Sequence, residues 1–267
     1  SSRHPVPPGG TGPRGAMAGL WSEQHRPASE ADLVVTKKKV SEVREFLTLG
    51  AGHGRRLLVL RGPAGCGKAS VLRALCNDLG FEIVEWSVAV QGSARSQGHA
   101  GEAAGVFREP LGEAFLRFVA QTDRYRCLRS EALPSGDVGP CRPRVALVRD
   151  FPFTLLDNWK NSTSDRGSFL ERFHGMICGG AMQRAVFCFN DTREDYTTIS
   201  RLFGPPVDPA MVSTVSFDGV ARTFAQRALD AVARAEGLEP GAANVAAIAA
   251  ECGGDLRHAI NALQLVS

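Results

Sequence analysis

Residues 55–80 read RRLLVLRG, PAGCGK and ASVLRALCNDLG in succession. A short apolar run of strand length feeds a glycine-rich turn, and a helical pattern leaves it, closed by Gly80. Gly62, Gly67 and Lys68 complete the spacing G-x-x-x-x-G-K. Glycines let such a loop curl until its backbone N–H groups point inward, which makes a cradle for phosphate oxygens. The helix that starts after the loop adds its positive end, and a lysine at its head reaches the β- and γ-phosphates. A bare glycine turn lacks the buried strand before and the helix after, so the flanks confirm the motif. The expected contacts are Gly62, Pro63, Ala64, Gly65, Cys66, Gly67, Lys68, Ala69 and Ser70, and the expected ligand is ATP or ADP.

The rest of the chain supports a sheet around that loop. FEIVEWSV reads as a second strand, so strand, loop, helix and strand suggest a βαβ unit with a right-handed crossover. RVALVRDF and RAVFCFND are further buried strands. ADLVVTKKKVSEVREFL places Val40, Val43, Phe46 and Leu47 at helical spacing. LGEAFLRFVAQTDRYRCL does the same with Phe115, Phe118, Val119, Thr122 and Tyr125, and SFLERFHGMI reads as another helix. Alternating strands and helices predict an α/β core with a parallel sheet covered on both faces. After Phe217 the strands stop. GVARTFAQRALDAVARAEG, AANVAAIAAECGG and DLRHAINALQLV are successive amphipathic helices. The expected organisation is a disordered tail over 1–20, a nucleotide-binding core over 21–215 and an all-helical unit over 216–267. Gln91–Gly105 and SEALPSGDVGPCRP read as loops.

Two positions around the phosphate loop depart from what a magnesium-dependent ATPase needs. The residue after Lys68 is Ala69, which offers no hydroxyl to Mg²⁺. Ser70 is about 100° further round the helix and badly placed to replace it. The strand VALVRDF should end in acids that hold the metal and polarise water, yet its pair is Arg149-Asp150. Asp150 keeps the catalytic carboxylate, although a strand-end aspartate before Pro152 also suits a plain turn cap. These changes predict nucleotide binding with weak or absent hydrolysis, with no metal ligand assigned and Mg²⁺ not expected in its usual role. The Arg149 guanidinium is a group able to approach phosphate oxygens itself.

Composition narrows the alternatives. The 267 residues are 43% hydrophobic and 22% charged, ordinary for a soluble globular protein, and the net charge of +3 permits a nucleic-acid partner without arguing for one. The 7 cysteines form no CxxC pair, which argues against zinc and fits a reducing compartment, cytosol or nucleus. No apolar run is long enough to span a membrane, and the first residues lack the apolar stretch of a secretory signal. His25, His53, His99, His174 and His258 lie in unrelated contexts and read as surface or satisfied core residues. No constellation supports a protease, nuclease or zinc enzyme.

Beyond the loop, WSEQHRPASEADLVVTKKKVSEVREFL, GFEIVEWS with Trp86, LVRDFP, VSFDGVA and CGGDLRHAINALQ together carry a resemblance. The chain resembles the large subunit of the checkpoint clamp loader, the Rad-seventeen family within the replication factor C group of AAA+ ATPases. The resemblance runs from about Trp21 to the end, outside the Gln91–Gly105 loop. It implies an AAA+ P-loop NTPase core followed by a helical lid. It implies that backbone near Val35 and Thr36 flanks the adenine. Arg257 would be the second sensor, reaching from the lid to the γ-phosphate. Asn190 would be the first sensor, between Asp150 and that phosphate, and Arg201 lies near the position of an arginine that acts on a neighbouring subunit. The implied partners are the small replication factor C subunits, the three-part checkpoint sliding clamp, and primer-template DNA in chromatin. The implied place is the nucleus, away from membranes. The sequence given stops at Ser267, before the collar domain by which such subunits form a ring. Two other readings compete: a pseudo-ATPase serving as an interaction module, and an ordinary replication factor C subunit, against which Trp86 and the absence of an Asp-Glu pair count.

Overall fold

The computed structural model describes residues 19–49, 54–86, 110–124, 142–157, 168–182, 184–238 and 241–267. The expected tail up to residue 18, the Gln91–Gly105 loop, most of the SEALPSGDVGPCRP loop, Tyr125, His53 and His99 lie outside these. In chain order the helices are α1 (Trp21–Gln24), α2 (Lys37–Leu49), α3 (Lys68–Leu79), α4 (Leu111–Arg124), α5 (Thr154–Asp157), α6 (Phe169–Cys178), α7 (Arg193–Phe203), α8 (Arg222–Ala235), α9 (Ala242–Glu251) and α10 (Leu256–Val266). The strands are β1 (Leu57–Arg61), β2 (Glu82–Trp86), β3 (Arg144–Val148), β4 (Ala185–Phe189) and β5 (Val212–Ser216).

The strands form one 5-stranded sheet in the order β2-β3-β4-β1-β5, with every pairing parallel. β1, which delivers the chain into the glycine loop, is flanked by β4 and β5, with Leu60 opposite both Cys188 and Val215. Its side chains alternate between two apolar layers. Leu57 and Val59 join Phe115, Phe173 and Phe187 under α4, α6 and α7. Leu58 and Leu60 join Val43, Phe46, Val71 and Leu75 under α2 and α3. Burial on both faces is why β1, β3 and β4 read as continuous apolar runs.

Two features correct the sequence reading. β2 does not pair with β1: it sits at the sheet edge beside β3, with β3 and β4 between it and β1. Only its last residue, Trp86, is buried, packed on Phe115 at 5.1 Å and Phe118 at 5.3 Å between ring centroids. The second feature is β5. VSTVS carries one buried residue and mixed polarity, so an edge strand there leaves little apolar signal. α7 was also not anticipated, although Thr192 caps it by accepting the Asp195 N–H and Thr198, Leu202 and Phe203 are buried along one face.

The last three helices pack on one another around Leu229, Val232, Ala259, Ile260 and Leu263. Trp21, expected to begin the core, joins this cluster instead, and its backbone N–H donates to Gln264 Oε1 at 2.9 Å. The bundle meets the sheet end directly. The Val220 N–H donates to Gly254 O at 3.0 Å and the Leu256 N–H to Gly65 O at 3.3 Å.

Candidate nucleotide site

The glycine loop leaves β1, between β4 and the edge strand β5, under tight constraint. Gly62 has φ +148°, and a Cβ there would lie 2.3 Å from Phe217 O, on the segment that follows β5. Gly65 has φ +63°, and its Cβ would lie 1.7 Å from Asp255 Oδ1, the cap of α10. Only glycine fits both places.

Lys68 opens α3 and is buried, 8% exposed. Its Nζ donates to Gly62 O and to Pro63 O, each at 2.7 Å, and lies 3.5 Å from Asn190 Oδ1. The ammonium is therefore fixed beneath the loop before any anion arrives, which spares a ligand part of the ordering cost. Asn190 reaches it because it follows β4 in the parity of Val186 and Cys188, on the sheet face that carries α3.

A cavity of about 660 Å³ opens between the loop and the helical bundle, within the range of small-molecule sites. Ala64, Gly65, Cys66, Gly67, Lys68, Ala69 and Ser70 line it, together with Val35, Asp150, Asn190 and Arg257. Residues far apart in sequence thus face one space. Gly62 and Pro63 are not on its wall, and their carbonyls accept from Lys68. Thr36 is not on the wall; its carbonyl accepts the Lys39 and Val40 amides at the start of α2. Arg201 is exposed on α7 and also outside the cavity.

Other wall residues were missed. His25, read from sequence as unrelated, lines the cavity, with its Nε2 2.6 Å from Glu236 Oε1 beyond α8. A contact across 211 positions leaves no local pattern. Arg227 comes from α8. Arg73 had a signal, since it falls four residues after Ala69 on the same helix face. Cys188 also faces the cavity, as does the expected Cys66. Burial raises both thiols, Cys188 to about 12, while Lys68 pulls each the other way and Arg149 does so for Cys188.

Two wall positions expected to serve a divalent ion carry no ligand for one. Ala69 supplies no oxygen, and Arg149 stands on the cavity wall where an acid was expected. Its Nη1 donates to Glu85 Oε1 at 3.2 Å, and the other Glu85 oxygen is paired with Arg73. The nearest exposed carboxylate of β2 is thus committed to two guanidiniums. Among the described residues, no group of 3 or more His, Cys, Asp or Glu could hold a metal.

Residues 16–138 match the Rad17 P-loop domain, which implies nucleotide binding. Over 92% of the chain, the sequence is 25% identical to the checkpoint protein rad17 of Schizosaccharomyces pombe, covering 42% of that protein. Over 92% it is also 23% identical to the human cell cycle checkpoint protein RAD17, covering 37%. Over 91% it is 27% identical to the replication factor C large subunit of Methanosarcina acetivorans, covering 33%. The chain therefore spans well under half the length of these relatives. The matches agree with the parallel P-loop sheet and support a Rad17-like, replication factor C-related protein.

Proposed function

We propose that the chain is the nucleotide-binding part of a DNA-damage checkpoint clamp loader, acting in the nucleus to place a heterotrimeric sliding clamp on DNA. The observation that carries this reading is the convergence of Lys68, Asp150, Asn190 and Arg257 on one cavity. They come from the loop, the end of β3, the end of β4 and the bundle, so a triphosphate tail would be contacted from both sides. Lys68 takes the β- and γ-phosphates, and Arg257 reads the γ-phosphate from a bundle that serves as lid over 216–267. Asp150 and Asn190 orient the water, and the segment at Val35 flanks the base. Binding closes the lid onto the core. Small replication factor C subunits, the checkpoint clamp and primer-template DNA on chromatin are the partners, with DNA held mainly through its phosphates.

Hydrolysis is weak or absent in this reading, because Ala69 and Arg149 leave the transferring phosphoryl group without its usual ion. The same two residues favour a second reading, a pseudo-ATPase that holds nucleotide as part of an interaction module. Co-expression with the small replication factor C subunits separates the two. Clamp-loader membership predicts an ATP-dependent complex that Lys68→Ala disrupts. Recovery of the complex with equal yield from Lys68→Ala favours the module, and failure to co-purify removes the clamp-loader role.

A further inference from the structure

We infer that the Arg149 guanidinium, steadied by Glu85 beside Arg73, takes the place of the divalent cation, so that the preferred ligand is a nucleoside triphosphate free of metal. The inference rests on nucleotide occupying the cavity described above.

Three observations point the same way. First, the position that supplies a hydroxyl to Mg²⁺ is a methyl group on the cavity wall, Ala69. Second, Arg149 follows β3 in the parity of Val145 and Leu147, whose side chains join the layer under α3. It therefore emerges on the loop side of the sheet and lines the cavity with Lys68. Cys188 lines the same wall. Third, Glu85 makes a shared ion pair with Arg73 and Arg149. One carboxylate between two guanidiniums leaves net positive charge, and it orients Arg149 through one of five donors, leaving the others for an anion.

The electrostatics follow. A triphosphate stripped of Mg²⁺ carries more negative charge than its metal complex. On the cavity wall, Lys68, Arg26, Arg73, Arg149, Arg227 and Arg257 face it against the carboxylates of Glu23, Asp32 and Asp150. Guanidinium forks match phosphate oxygens in pairs, and such charge-assisted contacts are about twice as strong as neutral ones. A metal ion entering here would meet a fixed cation where a magnesium-dependent P-loop site has an acid. In this site Mg²⁺ competes with the protein for the phosphates.

Titration of the chain with mant-ATP, in excess EDTA and again in excess MgCl₂, tests this. The expected affinity in EDTA equals or exceeds that in Mg²⁺. Arg149→Ala should weaken metal-free binding about tenfold, the scale of one lost charged contact, and weaken the magnesium complex less. Arg149→Glu should make binding depend on Mg²⁺. Circular dichroism on each variant shows that the fold is kept. Binding that needs Mg²⁺ in the wild-type chain overturns the inference and leaves the nucleotide site standing. Unchanged metal-free affinity in folded Arg149→Ala overturns it too. No binding in either buffer removes the nucleotide reading and this inference with it.

Discussion

The backbone N–H of Leu256 donates to the carbonyl of Gly65 at 3.3 Å, joining the first residue of α10 to the middle of the phosphate loop. The preceding residue, Asp255, caps α10 by accepting the His258 N–H at 3.0 Å. Its carboxylate fills the space where Gly65 lacks a side chain. The loop and the bundle are thus fitted to each other through one backbone hydrogen bond and one side chain.

Gly65→Ala tests that fit. A left-handed alanine costs about 1–2 kcal/mol by itself, and the added methyl must also push Asp255 away. Asp255→Ala alone should cost about 1 kcal/mol through the lost cap. Since the two residues touch, the double variant should be less unstable than the sum by about 0.5 kcal/mol or more in urea unfolding. Strict additivity would mean that loop and bundle are not in contact in solution.

Trp86 gives a test of the sheet edge. It is 5% exposed and stacks edge-on against Phe115. Trp86→Ala should lower stability by about 3–5 kcal/mol. A loss under about 1 kcal/mol would place the indole outside the apolar layer.

Alkaline titration reports on α3. Burial pushes the Cys76 thiol from 9.0 up to about 12, and the residue is 1% exposed. Above the unfolded value the unfolded chain releases this proton while the folded chain keeps it. The unfolded state then binds fewer protons, so stability falls as pH rises from 9 toward 12. The slope from this thiol is about 1.4 kcal/mol per pH unit. Between pH 9 and about 10 the wild type should lose about 1 kcal/mol more than Cys76→Ala. Equal losses would show that the thiol is not buried.

Much of this was legible in the residues, for physical reasons. β1, β3 and β4 are covered on both faces, so nearly every position is apolar and the strands announce themselves. The loop is legible because its glycines and Lys68 have few other uses between a strand and a helix. β5 and the edge position of β2 are not, since an edge strand has one neighbour and tolerates Ser213, Thr214 and Glu85. Trp21 was read as the start of the ordered core, but its pairing with Gln264 spans the chain. His25 and Arg227 escaped for the same reason: each meets the cavity through tertiary packing. Asn190 and Arg257 came from the resemblance alone, and strand parity and the start of α10 carry them to the cavity wall.

Restoring the two altered positions tests the reading of weakened hydrolysis. Ala69→Thr returns a hydroxyl and Arg149→Glu returns an acid, so together they should raise magnesium-dependent ATP turnover in an assembled complex, read as released phosphate. No gain would mean that one of those positions does not face the reacting phosphate.

The most direct measurement is calorimetric titration of the wild-type chain, Lys68→Ala and Arg257→Ala with ATP and with ADP. With the phosphates between the loop and the bundle, Lys68→Ala loses binding of both nucleotides. Arg257→Ala keeps ADP but loses the preference for ATP. Wild-type affinities for both nucleotides in both variants would contradict the site outright.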